Sequence, residues 1–349
     1  MKISGNKGEW SEFYTLIRLL ADGEIYTADE NLSKNENCYF PILKIFRCED
    51  KINKVEYRLN FQNDVELYLN GKFLRNIKTS VLDTAAKNFF DAICKGKGSF
   101  EIDGAEKIMK TLECTKIKAD SKNKTDITLE IYDPFTRYGR ICGYSIKSDI
   151  GNPPTLFNSS QATNFKFEIF DMNDEKMDEI NAIDTRNKIK DRVRRISDMQ
   201  FDSLENETFS RNLLFVDTNM ENFLAEMLKV YYGENVSNCA EVAEISDSRN
   251  LKLENLYSHK LKKFLCAAAL GLTPTKIWNG RDESDGGYII IKKSGEILAY
   301  HLYDRDRFEN YLLNSTKFDT PSAGRYNFGK IYKAGGRYFI NLNLQIRFK

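Results

Sequence analysis

Helical spacing comes first along the chain. In GEWSEFYTLIRLLA the apolar positions Trp10, Phe13, Leu16, Ile17 and Leu20 recur every three or four residues, the rhythm that lines one face of an α-helix. A helix is predicted from about Lys7 to Ala21. From Tyr39 to about Ile77 the pattern changes to short apolar or alternating runs, YFPILKIF, VEYRLNF and VELYL, as in strands whose side chains alternate between faces. Asn70-Gly71 is a strong signal for a two-residue hairpin turn, so a β-meander is expected. SVLDTAAKNFFDAICKG returns to helical spacing, with Ser80 as expected N-cap and Gly96 as its stop. A shorter helix is expected from Gly104 to Leu112.

A hairpin follows from Thr125 to Ser148, then a loop rich in Pro, Asn, Ser and Thr, IGNPPTLFNSSQATNF. From about Asn173 to Leu270 the pattern reads as helical almost throughout. The end is β-rich, with GGYIIIKKSGEILAYHLY turning at Ser294-Gly295 and GKIYKAGGRYFINLNLQIRF turning at Gly335-Gly336. The expected class is α+β, or mixed α/β. The expected division is 1–172 for the first helix, meander and catalytic hairpin, and 173–349 for the helical segment and C-terminal hairpins, or a single compact unit.

Composition narrows the classes. Of 349 residues, 41% are hydrophobic and 30% charged, which suits a globular chain with a real core. No apolar run approaches the ~18 residues of a membrane span, and the N-terminus lacks the apolar core of a signal peptide. A cytoplasmic protein without membrane contact is expected. The seven cysteines include no C-x-x-C pair, so neither a zinc ribbon nor a redox motif is indicated. With only His259 and His301 present, histidine-rich metal sites are excluded. No Walker loop, hydrolase elbow or kinase signature appears. The net charge of +1 leaves any nucleic-acid contact to depend on how charge is clustered.

The hairpin KTDITLEIYDPFTRYGRICGYSIKS carries the chemistry. On its first strand Asp126, Thr128, Glu130 and Tyr132 share one face, and on its second Ile141, Gly143, Ser145 and Lys147 share one. A turn centred on Phe135 to Gly139 would set Lys147 opposite Asp126 and Ser145 opposite Thr128. Phosphodiester cleavage uses a metal ion to polarise phosphate and activate water. Magnesium takes a few carboxylate oxygens and keeps several waters, and a nearby lysine orients the nucleophile and offsets developing charge. Glu130 is roughly 13 Å along the strand from Asp126 at about 3.3 Å per residue, too far to share its metal. Asp133 points to the other face and enters only if a bulge flips the register.

This hairpin resembles the PD-(D/E)XK nuclease core: an Asp on one strand, a turn, then acid-x-Lys on the next. The matching residues are Thr125-Asp126 and Ser145-Ile146-Lys147. The resemblance implies that Asp126 and the Ile146 carbonyl bind metal and that Lys147 positions water. Thr125 replaces the pattern's Pro, and Ser145 stands in the acid slot, so either one carboxylate must come from elsewhere or only one ion is tightly held. Lys7-Gly8-Glu9-Trp10-Ser11-Glu12 looks like the KG-x-x-x-E start of the first helix in several such nucleases, which makes Glu12 the leading candidate and Glu9 its neighbour. NKGEWSEFYTLIRLLADGEIYTADENL, GYSIKSDIGNPPTLFNSSQATNF and the C-terminal DGGYIIIKKSGEILAYHLY through LNLQIRF extend the likeness to nearly the whole chain, which resembles the HpaII-type restriction endonucleases. That resemblance implies a Mg2+-dependent type II enzyme cutting both strands of DNA at a short palindrome, expected to be CCGG. The alternatives are a structure-specific or repair nuclease of the same fold, and a non-catalytic DNA-binding protein in which Asp126 and Lys147 form only an ion pair.

Double-stranded DNA is the expected partner, and a palindrome suits a two-fold homodimer or a monomer nicking each strand in turn. The loop after Lys147 offers Asn158, Gln161 and Asn164, with Ser159, Ser160 and Thr163. A G·C target favours basic side chains for base contact. Arg186, Lys188, Lys190, Arg192, Arg194 and Arg195 in the basic stretch, and Arg325, Gln345 and Arg347 near the end, are candidates. Lys262 and Lys263 in the HKLKK run suit phosphate contact.

Overall fold

The computed structural model describes residues 3–29, 31–50, 52–60, 63–119, 125–134, 136–250, 254–301, 304–322 and 325–349. In chain order the first elements are β1 (Ser4–Asn6), α1 (Lys7–Asp22), β2 (Glu24–Ala28), β3 (Lys34–Cys48), β4 (Lys54–Asn60), β5 (Asp64–Leu69), β6 (Lys72–Lys78), α2 (Thr79–Lys95), β7 (Ser99–Glu101), α3 (Ala105–Thr111), β8 (Ile127–Asp133) and β9 (Tyr138–Ser148). Then come β10 (Thr155–Phe157), β11 (Asn164–Ile169), α4 (Asp174–Asn181), α5 (Lys188–Val193), β12 (Met199–Leu204), α6 (Glu207–Leu214), α7 (Met220–Gly233), α8 (Cys239–Asn250) and α9 (Leu256–Leu270). The chain ends with β13 (Gly287–Ile291), β14 (Ile297–His301), α10 (Arg305–Ser315), β15 (Thr316–Phe318), β16 (Ile331–Ala334), β17 (Arg337–Asn343) and β18 (Ile346–Phe348). The class is mixed α plus β.

Two compact units divide the chain: residues 1–154 with 282–308, and residues 155–281 with 309–349. This differs from the division expected at residue 172. The first unit needs β13 and β14 for its sheet, and a strand pairing so distant in sequence leaves no local signal.

The first unit is built on a nine-stranded mixed sheet in the order β2-β14-β13-β9-β8-β3-β4-β5-β6, in which β2 also pairs with β3. β13 runs parallel to β9 and β14 parallel to β2. The expected meander is present, and its Asn70-Gly71 turn has φ of 51° and 80°, the left-handed pair that hairpin twist demands. Trp10, Phe13, Ile17 and Leu20 of α1 are fully buried, each stabilising the fold by roughly 1.5–3 kcal/mol. Trp10 and Phe13 pack on Phe89 of α2 at ring distances of 5.7 and 5.5 Å. α2 starts one residue before Ser80, with no side-chain cap, and ends at a Gly96 whose φ is −61°. The meander's last strand runs straight into the helix, with the Thr79 N–H on the Asn63 carbonyl at 3.1 Å, so no serine cap is needed.

The second unit holds two smaller sheets, β10-β18-β15 and β12-β11-β17-β16. Phe157, Phe165, Phe209 and Phe264 are buried within it. The expected near-continuous helix between residues 173 and 270 is interrupted by β12, which pairs antiparallel with β11. Its sequence, MQFDSL, alternates over too few residues to stand out between helical stretches.

Candidate active site

Glu12 is placed by the first turns of α1. Asn6 and Glu9 form a reciprocal cap, with the Glu9 N–H on Asn6 Oδ1 at 3.0 Å and the Asn6 N–H on Glu9 Oε2 at 2.8 Å. Glu9 is therefore taken up in starting the helix, and Glu12 is the glutamate that turns toward β9. Ser11, buried beside it, donates to Ser148 Oγ at 3.0 Å and pins α1 to the end of the strand that carries Lys147.

The hairpin register differs from expectation by two residues. Ile127 pairs with Tyr144 and Thr128 with Gly143, and Asp133 pairs with Tyr138 at the turn end of the hairpin. Asp126 thus adjoins Ser145, and Lys147 extends beyond it. The loop closes early because Asp133 folds back on it, accepting from Thr136 Oγ1 at 2.8 Å, while Arg137 takes φ of 61°. A two-residue shift preserves which side chains share a face, so the expected faces stand. Ile127, Leu129 and Ile131 enter the core. Asp133 is buried at the turn, and Glu130 pairs with Lys44 at 2.7 Å. Both lie away from Asp126.

Asp126 is held tightly. Its Oδ2 accepts from Ser145 Oγ at 3.1 Å and from the Ile146 N–H at 2.8 Å, and its own N–H donates to the Tyr144 carbonyl at 2.8 Å. The serine in the acid slot serves here as an orienting donor. Lys118 was not among the sequence candidates. Its ammonium lies 2.9 Å from Glu12 Oε1 and 3.4 Å from Asp126 Oδ1, so both carboxylates converge on one cation. No motif marks Lys118, since it is brought in by the segment after α3.

The electrostatics agree with this convergence. Desolvation, then the Asp126 charge, raises the pKa of Glu12 against the opposing pull of Lys118 and Lys147. Desolvation lowers the pKa of Lys147, only partly offset by Asp126 and Glu12. Lys118 is also desolvated, but its hydrogen bond to Glu12 and the two acidic charges raise its pKa overall. Glu12, Lys147, Ser148 and Ser11 open onto a cleft of about 650 Å³, walled by Asn6, Lys7 and Gly8, by residues 94–98, and by Ile150, Gly151, Asn152 and Pro154.

The family described as HpaII restriction endonuclease matches residues 6–348. The chain belongs to the HpaII restriction endonuclease family. The type II restriction enzyme HpaII of Haemophilus parainfluenzae is 39% identical, over 99% of this chain and 98% of that protein. No solved structure matches. Family membership makes the chain a site-specific deoxyribonuclease, and the alignment end to end brings both units within the family's extent.

Within the second unit the expected DNA-reading residues fall into distinct environments. Asn164 is fully buried, with its amide on Glu205 and the Tyr326 carbonyl at 2.7 Å each and its Oδ1 on Asn343. Arg192 is buried and donates to the carbonyls of Gly329, Asn181 and Ile183 at 2.7 to 2.9 Å. These two side chains tie the unit together internally. Gln345 is buried too, with no partner for its Oε1 among the described residues. Gln161 donates to Glu205 at 2.7 Å, and Arg347 pairs with Asp319 at 3.0 Å. Asn158, Arg195 and Arg325 are exposed, and Lys262 and Lys263 are half-buried on α9. Arg325 lines a cavity of about 780 Å³ with Lys188, Lys330 and Glu205.

Proposed function

We propose that the protein hydrolyses double-stranded DNA at a Mg2+-dependent centre formed by Glu12, Asp126 and Lys147, within a PD-(D/E)XK-like core, at a short palindrome for which CCGG is the expected sequence. The observation that carries this reading is the convergence of Glu12 and Asp126 on one ammonium group, at 2.9 and 3.4 Å. Two carboxylates able to share a cation fit a divalent ion, and magnesium favours a small carboxylate set completed by water and phosphate oxygens. No group of three or more His, Cys, Asp or Glu suited to a metal occurs among the described residues. The protein's share is therefore two carboxylates, with the Ile146 carbonyl as the neutral ligand of the pattern.

When bound, the ion supplies Lewis-acid polarisation of the phosphate and a lowered pKa for coordinated water. The residues of the chain do the positioning. Ser145 and the Ile146 N–H fix Asp126 through Oδ2, which leaves Oδ1 turned toward Glu12's cation. Lys147, its proton affinity lowered by desolvation, orients the attacking water and exchanges a proton with it more readily than a surface lysine would. A palindromic target suits a two-fold pair of chains, each cutting one strand.

Digestion of a supercoiled plasmid tests the reading. Discrete fragments with ends at one short sequence, lost in excess chelator and restored by magnesium, are expected. Ends scattered over flaps or junctions would favour a repair nuclease, and cutting that survives chelator would refute the metal centre.

A further inference from the structure

The Lys95-Gly96-Lys97-Gly98 segment, in which only the helix stop at Gly96 had an expected role, forms one wall of the cleft that Glu12 and Lys147 share. The segment is anchored. A Cβ on Gly96 would sit 2.3 Å from the Phe100 ring, so only glycine lets the chain turn against that ring. The Phe100 carbonyl accepts from Trp10 Nε1 at 2.9 Å. β7 pairs with β1, setting Ser99 beside Asn6, and Lys7 Nζ donates to the Cys94 carbonyl at 3.1 Å. These contacts tie the segment to the first turn of the helix that carries Glu12. Lys95 and Lys97 themselves are exposed, and neither ion-pairs among the described residues.

The charge of this cleft is mostly positive. Its charged lining is Lys7, Lys95, Lys97 and Lys147 against the single acid Glu12. Ammonium groups on flexible stems act as point charges, without the planar fork that reads a base edge. We propose that Lys95 and Lys97 form a phosphate-binding subsite that grips the phosphodiesters flanking the one cleaved. This rests on the catalytic reading above only for which phosphodiester is cleaved. The subsite is independent of sequence, so it holds the strand in the cleft while recognition is made elsewhere.

Binding of a target duplex by the full chain in excess chelator tests it, with anisotropy followed from 50 to 200 mM salt. Each phosphate contact contributes about 0.9 to the slope of log affinity against log salt. The double variant Lys95→Ala/Lys97→Ala should lower that slope by about 1.8, so that wild type loses about 12-fold more affinity than the variant across the range. The loss should be equal on target and scrambled duplexes, and Lys95→Arg/Lys97→Arg should keep the wild-type slope. Neutral methylphosphonates beside the cleaved position should weaken wild type and leave the Ala variant unchanged. An unchanged slope, a loss confined to the target duplex, or equal methylphosphonate sensitivity in both proteins would overturn the subsite. Wild-type cutting in chelator would instead count against the metal centre, so the two failures are distinguishable.

Discussion

At the scale of single residues, the proposed centre draws its two acids and its lysine from different elements. Asp126→Ala and Lys147→Ala should each reduce plasmid cleavage by at least about 100-fold, the scale seen when one preorganised charge-stabilising group is lost. Gel shift should show DNA binding retained, and near-normal cleavage in either variant would refute the assignment. Glu12 makes a sharper test through pH. Its pKa is raised by desolvation and by Asp126, so it takes up a proton at higher pH than an ordinary glutamate. Protonation removes a metal ligand, so cleavage should fail on the acid side earlier than for a solvated carboxylate. Added magnesium competes with the proton and should move that limb to lower pH. Lys118→Met deletes a hydrogen bond and a charge that lower the pKa of Glu12, so its acid limb should move to higher pH. A limb indifferent to both magnesium and Lys118 would remove Glu12 from the site.

At the scale of elements, the hairpin sets the position of Asp126, and Gly143 sets the hairpin. A Cβ on Gly143 would lie 2.7 Å from Thr125 Cγ2 and 2.8 Å from its Oγ1. Thr125 is held in turn by the Glu283 carbonyl at 3.0 Å, and the Gly143 N–H by Asp285 at 2.7 Å. Gly143→Ala should therefore displace Thr125 and its neighbour Asp126. The expected stability loss is about 1–3 kcal/mol, read from the denaturant midpoint, together with a cleavage loss of more than about tenfold from misplacement of the metal ligand. Adding Thr125→Ala should restore cleavage and part of the stability, since it removes the two closest atoms but also the hydrogen bond to Glu283. Failure of the double variant to recover cleavage would mean that Thr125 itself matters to the chemistry. The faces of this hairpin were legible because alternation is local. Its register was not, because the Asp133 side chain holds the loop through Thr136 and the pairing falls two residues from that of a turn centred on Phe135 to Gly139.

At the scale of the whole molecule, the proposed cleavage centre belongs to the unit of residues 1–154 with 282–308, while the expected base-reading residues belong to the other. Mapping every end produced from a plasmid of known sequence should return one short palindrome, with no cutting at variants differing by one base pair under matched salt; frequent cutting at such variants would refute strict target reading. Local periodicity was enough to give the helix carrying Glu12, the two-faced hairpin, and the shared face of Asp126 and Lys147, since helical and strand periodicities are properties of neighbouring residues. The three-dimensional fold was needed to show that Lys118 bridges Glu12 and Asp126, that Ser145 orients its neighbour, and that Asn164 and Arg192 are buried ties. It alone gave the KGKG segment a place beside the catalytic pair. Each of those facts depends on groups far apart in sequence meeting in space, and on burial, which fixes whether a polar side chain faces solvent or is consumed by its own fold.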